Sequence, residues 1–142
     1  MLINVLSLIF SFLGFLLSVW VALNTVTIKK SIKRMNCLHI FLENVDRNIG
    51  VLQSSSDAYS RILFNDEQLN PTLPIILLNE LDFIVTTYKP ISAKLYSKAL
   101  NLSDYVKSHP EQYKKLHKKT LNVLQLLKGA KQNATDERTW FI

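Results

Sequence analysis

No charged side chain occurs before Lys29, and residues 2–23 are almost wholly apolar. As a helix that stretch rises about 33 Å at about 1.5 Å per residue, close to the thickness of a bilayer's hydrocarbon core. Such a segment restricts the rest of the chain severely, because everything after it must fold on one side of a membrane. A secretory signal peptide competes for the same residues, but it needs a basic start, a shorter apolar core and small residues ahead of the cleavage point. Here only Met1 precedes the run, and Trp20 stands where a small residue is wanted before Ala22. An uncleaved anchor over residues 1–28 is therefore expected. Lys29, Lys30, Lys33 and Arg34 crowd its C-terminal flank, and basic flanks stay on the cytoplasmic side. The expected location is the inner (plasma) membrane, single-pass, with the C-terminal domain cytoplasmic and the lipid bilayer as first partner.

The single cysteine, Cys37, excludes an intrachain disulfide, which fits a reducing compartment. Beside the basic flank it is either a palmitoylation site or an unmodified buried thiol. The sequons at Asn101 and Asn133 matter only on the far side of a membrane, against the expected orientation. A formal net charge of +6 favours anionic partners without constraining the fold.

Within the span, Asn4, Ser7, Ser11, Gly14 and Ser18, followed by Thr25, recur at alternating three and four spacing, which places them on one helix face. In lipid, close packing of small residues and interhelical hydrogen bonds bring spans together. The stripe predicts a homo-oligomer, either as a tightly packed contact or as a polar seam around an axis that becomes wet if the helices separate. The register continues through Ile28, Ile32, Met35, His39 and Leu42, then, after a one-residue slip, through Val45, Ile49, Leu52, Ser56, Tyr59 and Leu63. With no proline before Pro71, residues 29–64 read as a juxtamembrane stem helix continuing the anchor, weakest near Gly50 and Ser54 to Ser56.

Residues 65–129 read as a small helical bundle packing on the stem, so the fold class is all-α. Turn formers and Pro71 interrupt the pattern, and Pro74 falls in the first turn of a second helix that ends near Tyr88-Lys89-Pro90. The β-branched residues of 75–85 leave a buried strand as an alternative there. A third helix is expected over 91–100, with Ile91, Leu95, Ala99 and Leu102 on one side. A fourth is expected between a capping box at Ser108 and Glu111 and a left-handed C-terminal glycine at Gly129. Its apolar face carries Tyr113, Leu116, Thr120, Val123, Leu124 and Leu127, and Lys114, Lys115, Lys118 and Lys119 share the opposite arc. Residues 130–142 read as a polar C-terminal tail ending in the apolar Trp140-Phe141-Ile142.

Phosphate loops, paired cysteines, zinc-protease motifs and nucleophile elbows are all missing from the sequence, so no enzyme, no metal and no cofactor is expected. His39 and Glu43, one turn apart, read as a helix-surface ion pair, or His39 as a polar seam residue of an oligomer, rather than as metal ligands. The lysine arc, with His117 on the same helix, is the candidate ligand-binding surface for phosphates or lipid head groups. No duplex nucleic acid is expected, since no reading motif accompanies the charge.

With its apolar 2–23 span, its Lys29-Lys30-Ser31-Ile32-Lys33-Arg34 flank and its basic helix around Lys114 to Lys119, the chain resembles in layout the membrane-bound effectors of bacterial type III CRISPR defence. That resemblance implies a symmetric oligomer whose cytoplasmic domain binds cyclic oligoadenylate, a cyclic nucleotide held by basic residues from several subunits, and then perturbs the membrane or opens a pore. The alternative reading is a single-span adaptor or regulator acting through protein–protein contacts, with a constitutive pore behind it.

Overall fold

The computed structural model describes residues 1–139 and has four helices, α1 (Leu2–Asn65), α2 (Thr72–Thr87), α3 (Ala93–Ser108) and α4 (Tyr113–Thr139). Among these residues there is no strand, so the fold is all-α. The 75–85 stretch is helical despite its β-branched residues, because Leu77, Leu81 and Ile84 recur at helical spacing and are all buried. The chain divides into two compact units, Met1–Asn36 and Cys37–Ile142. α1 runs through both.

The N-terminal unit is helical, and among the described residues none of its apolar window is buried. It is long and apolar enough to cross a membrane. The second unit is a four-helix bundle built from the C-terminal half of α1 and the other three helices. Phe41 meets Tyr88 edge to face at 4.8 Å, and Asn48 hydrogen-bonds Glu80, so α2 runs antiparallel to α1. On the other side, Lys131 Nζ donates to Asp46 Oδ1 at 2.6 Å and the rings of Tyr59 and Tyr113 lie 6.2 Å apart. α4 is therefore also antiparallel to α1, and α3 closes the bundle between α2 and α4 in an up-down-up-down arrangement.

Local chemistry explains where these helices begin and end. α1 stops at Asn65, and Asp66 follows at φ 52°, a left-handed conformation that a short polar side chain tolerates. Asn70 Oδ1 accepts from the amide and hydroxyl of Thr72, at 3.0 and 2.8 Å, at the start of α2. Ser92 caps α3 by accepting from the Leu95 amide at 3.2 Å, an interaction worth about 1 kcal/mol.

Four sequence expectations are corrected. The third helix does not stop near residue 100 but runs on to Ser108, because Leu102 and Val106 continue its buried face. The Ser108–Glu111 capping box does not form: Ser108 ends α3, its hydroxyl donating to Asp104 O at 2.8 Å, and α4 begins only at Tyr113. Gly129 is not a left-handed cap, since no described glycine has positive φ and α4 passes through it. The polar tail over 130–142 is helical as far as Thr139, because Ala134 is buried in the core and Lys131 reaches Asp46. Trp140, Phe141 and Ile142 lie outside the described residues.

The stem expectation needs a fifth correction. α1 buries Leu38, Phe41, Val45, Asn48, Leu52, Ser55, Ser56 and Tyr59, a three-four series that widens to two adjacent residues at Ser55 and Ser56. Val45, Leu52, Ser56 and Tyr59 are on the expected face, whereas His39 is exposed and Leu42 only half-buried. The slip inferred near residue 42 is therefore not a defect in one stripe. Gly50 and the serines do not interrupt the helix either, because Ser55 and Ser56 pack into the core.

Candidate anion-binding surface

α4 separates its two faces as its pattern requires. Leu116, Thr120, Val123, Leu124 and Leu127 are buried, and the Thr120 hydroxyl is satisfied by the Leu116 carbonyl at 2.7 Å. Lys114, Lys115 and Lys118 are exposed on the other side. Lys119 sits at the edge of this arc and is held there: its ammonium donates to Asn101 Oδ1 at 3.2 Å and lies 5.0 Å from the Tyr105 ring centroid. His117 turns the other way. Its Nδ1 lies 3.0 Å from the Ser56 carbonyl and 3.4 Å from the Ser56 hydroxyl, which ties α4 to α1. The arc thus consists of three outward lysines, a fourth fixed by α3, and a histidine occupied with packing.

Beside Lys119, α3 carries an open groove of about 410 Å³ lined by Ser97, Leu100, Asn101, Asp104, Tyr105 and Ser108. Asn101 and Tyr105 thus serve both groove and lysine. Hydroxyls and an amide suit a polar ligand, but the Tyr105 ring is already engaged, stacked on His109 at 4.6 Å and approached by Lys119, and Asp104 puts a negative charge on the wall that opposes an anion.

In the N-terminal unit, Asn4, Ser7, Ser11, Gly14 and Ser18 are all exposed on α1, as are Lys29, Lys30, Lys33 and Arg34. The Ser18 hydroxyl donates to the Gly14 carbonyl at 2.9 Å and Thr25 to the Val21 carbonyl at 2.8 Å. These donors are satisfied within their own helix, as hydroxyls in apolar surroundings require. A Cβ at Gly14 would meet nothing within 4 Å, so the face is open along its length. His39 Nε2 and Glu43 Oε2 are 3.9 Å apart on the surface, and no group of three metal-ligating side chains occurs among the described residues.

Sequence reasoning missed a polar cluster inside the bundle. The Tyr88 hydroxyl donates to Asn48 Oδ1, and Asn48 Nδ2 donates to Glu80 Oε1. Arg47 Nε lies 3.6 Å from the same Glu80 oxygen, its guanidinium 4.8 Å from the Phe83 ring centroid. Burial, first of all, pushes the Tyr88 hydroxyl far above its ordinary pKa; Arg47 pulls against this and Glu80 adds to it. Tyr59 is pushed up to about 12, again by burial first and then by Tyr113. The available signal was Asn48 itself, a polar residue at three-four spacing between Val45 and Leu52. A second missed feature is the exposed apolar group Phe64, Ile75 and Ile76, at the end of α1 and the start of α2.

No protein-family model, curated protein or solved structure matches the chain.

Proposed function

We propose that the chain is a single-span membrane protein, anchored in the inner membrane through residues 1–28, whose bundle acts on the cytoplasmic side. It works there as an oligomeric effector answering to an anionic ligand, and a cyclic oligonucleotide such as cyclic oligoadenylate is the class to test. The observation that carries the reading is the contrast within α1. Its C-terminal half is a core element of the bundle, whereas none of its N-terminal apolar window is buried among the described residues, and lipid is the cover such a surface requires. The Lys29 to Arg34 flank supports the orientation, and the exposed stripe from Asn4 to Ser18 supports association of several copies. Lys114, Lys115 and Lys118 supply the positive charge a phosphate-bearing ligand needs.

The test uses the full chain in dye-loaded vesicles, with cyclic and linear oligoadenylates added outside. Dye release by one cyclic ligand, lost in Lys114→Glu/Lys118→Glu, is expected. If no oligonucleotide binds or releases dye and the double variant behaves like the parent, the effector reading fails. The exposed Phe64, Ile75 and Ile76 favour a second reading, an adaptor that docks another protein at that end of the bundle. An adaptor keeps its activity when its span is replaced by an unrelated one, and the oligomeric effector loses it.

A further inference from the structure

We infer that α1 of one copy pairs in parallel with α1 of a second copy through a short coiled-coil seam just beyond the basic flank, formed by Thr25, Ile28, Ile32, Met35 and His39. The inference rests on the membrane reading above, and it names the surface through which the copies meet. Ile28, Ile32 and Met35 are 57%, 53% and 46% exposed on α1, although each is a large apolar side chain. Ile32 and Met35 follow Lys29 and Lys30, so the lipid that accounts for residues 2–23 does not account for them. Inside the bundle unit the fully buried series is Leu38 and Phe41, one position away, while this register is exposed at His39 and only half-covered at Leu42. α1 therefore carries two apolar series that serve different partners, and the slip near residue 42 marks the change from one to the other.

Three arguments make the partner a second copy of the same helix. Alternating three-four spacing is self-complementary, because side chains at the two core positions of one strand fill the holes of an identical strand. Most of the basic flank is kept off the contact: with Ile32 at the first core position of a heptad and Met35 at the fourth, Lys30, Lys33 and Arg34 fall on outward positions, and Lys29 flanks the seam with its ammonium free to extend into water. The third argument is orientation. Spans inserted in the same sense hold their following segments parallel and at high local concentration, which offsets the small number of core residues.

The experiment places single cysteines in the full chain in a Cys37→Ser background, reconstituted in phosphatidylcholine vesicles. Ile32→Cys and Met35→Cys lie on the seam; Lys30→Cys and Lys33→Cys lie on the opposite side, and all four positions are exposed, so folding is not at risk. Brief copper-phenanthroline oxidation is followed by non-reducing electrophoresis, since a disulfide requires Cα atoms within about 7 Å. Several-fold more disulfide-linked dimer at positions 32 and 35 than at 30 and 33 is expected. Equal yields at the four positions, higher yields at 30 and 33, or no dimer at any of them overturns the seam. Flotation of the same vesicles separates the two levels: a chain that fails to float overturns the membrane reading and the seam with it. A chain that floats without the periodic cross-linking overturns the seam alone.

Discussion

Replacing Tyr88 by Phe removes one oxygen from the centre of the bundle and leaves the ring where Phe41 and Phe83 pack against it, at 4.8 and 5.6 Å. The loss falls on Asn48, whose Oδ1 accepts from that hydroxyl and whose side chain is fully buried, so water cannot replace the donor. A buried acceptor left unmatched costs about 1–3 kcal/mol. For a domain of this size each kcal/mol moves the melting temperature by about 4–8 °C. Tyr88→Phe is therefore expected to melt several degrees lower. Asn48→Leu is expected to cost more, because it strands the Tyr88 hydroxyl and removes a donor from Glu80. The double variant Asn48→Leu/Tyr88→Phe should be clearly less destabilised than the sum of the two, with a coupling of about 0.5–3 kcal/mol. Thermal unfolding of the full chain in detergent micelles, followed by tyrosine near-ultraviolet circular dichroism, reads the bundle without interference from the span's helix. If Tyr88→Phe melts with the parent, or if the two substitutions add to within about 0.3 kcal/mol, the cluster contributes nothing as a network and the reasoning is wrong.

Gly129→Ala is expected to stabilise the bundle by about 0.5–1 kcal/mol, because the position is mid-helix and a Cβ there meets nothing within 4 Å; destabilisation in the same melting assay would restore the left-handed cap. Alkaline unfolding should follow the buried tyrosines. Their folded-state pKa values lie above the ordinary value of 10.0, Tyr59 at about 12, so the stability they contribute is whole below pH 10 and is lost as pH rises toward and through 12. Urea midpoints measured across that range should fall in the parent and fall less in Tyr59→Phe. Lys114→Glu/Lys118→Glu is expected to change stability by no more than about 0.5 kcal/mol, since both lysines are exposed, and a large drop in melting temperature would mean that the arc is structural.

The helices were readable wherever spacing and burial agree. Leu95, Ala99 and Leu102 recur on a face with no competing pattern, and the structure buries all three. Helix ends were less legible, because a cap is decided by backbone geometry that several sequences allow. Ser108 and Ser92 both precede a helix as capping serines do, but only Ser92 stands free of a preceding helix to adopt the extended conformation a cap needs. Gly129 reads as a stop because the composition after it is polar, whereas Ala134 on the buried face and the Lys131–Asp46 pair hold the continuation. His117 shows the same limit at the candidate surface. Its neighbours in sequence are lysines, but its angle on α4 turns it to Ser56. The face used by residues 38–42 was not legible because Leu38 and Phe41 lie one position from the His39 and Leu42 register, and spacing alone does not say which of two adjacent series the bundle buries.

The pairing of Asp46 with Lys131 spans 85 residues, and this has a consequence for biosynthesis. The core face of α1 is made early, while α4, which covers one side of it, is made much later. At translation rates of about 5–20 residues per second, that face waits about 4–17 s for its cover. During that interval the side of α1 that α4 covers remains open to chaperones, to the membrane surface or to a neighbouring nascent chain, even though α2, made sooner, already meets Phe41 through Tyr88. A ribosome stalled before Lys131 would leave the chain in that state, an adhesive precursor rather than a shorter version of the protein.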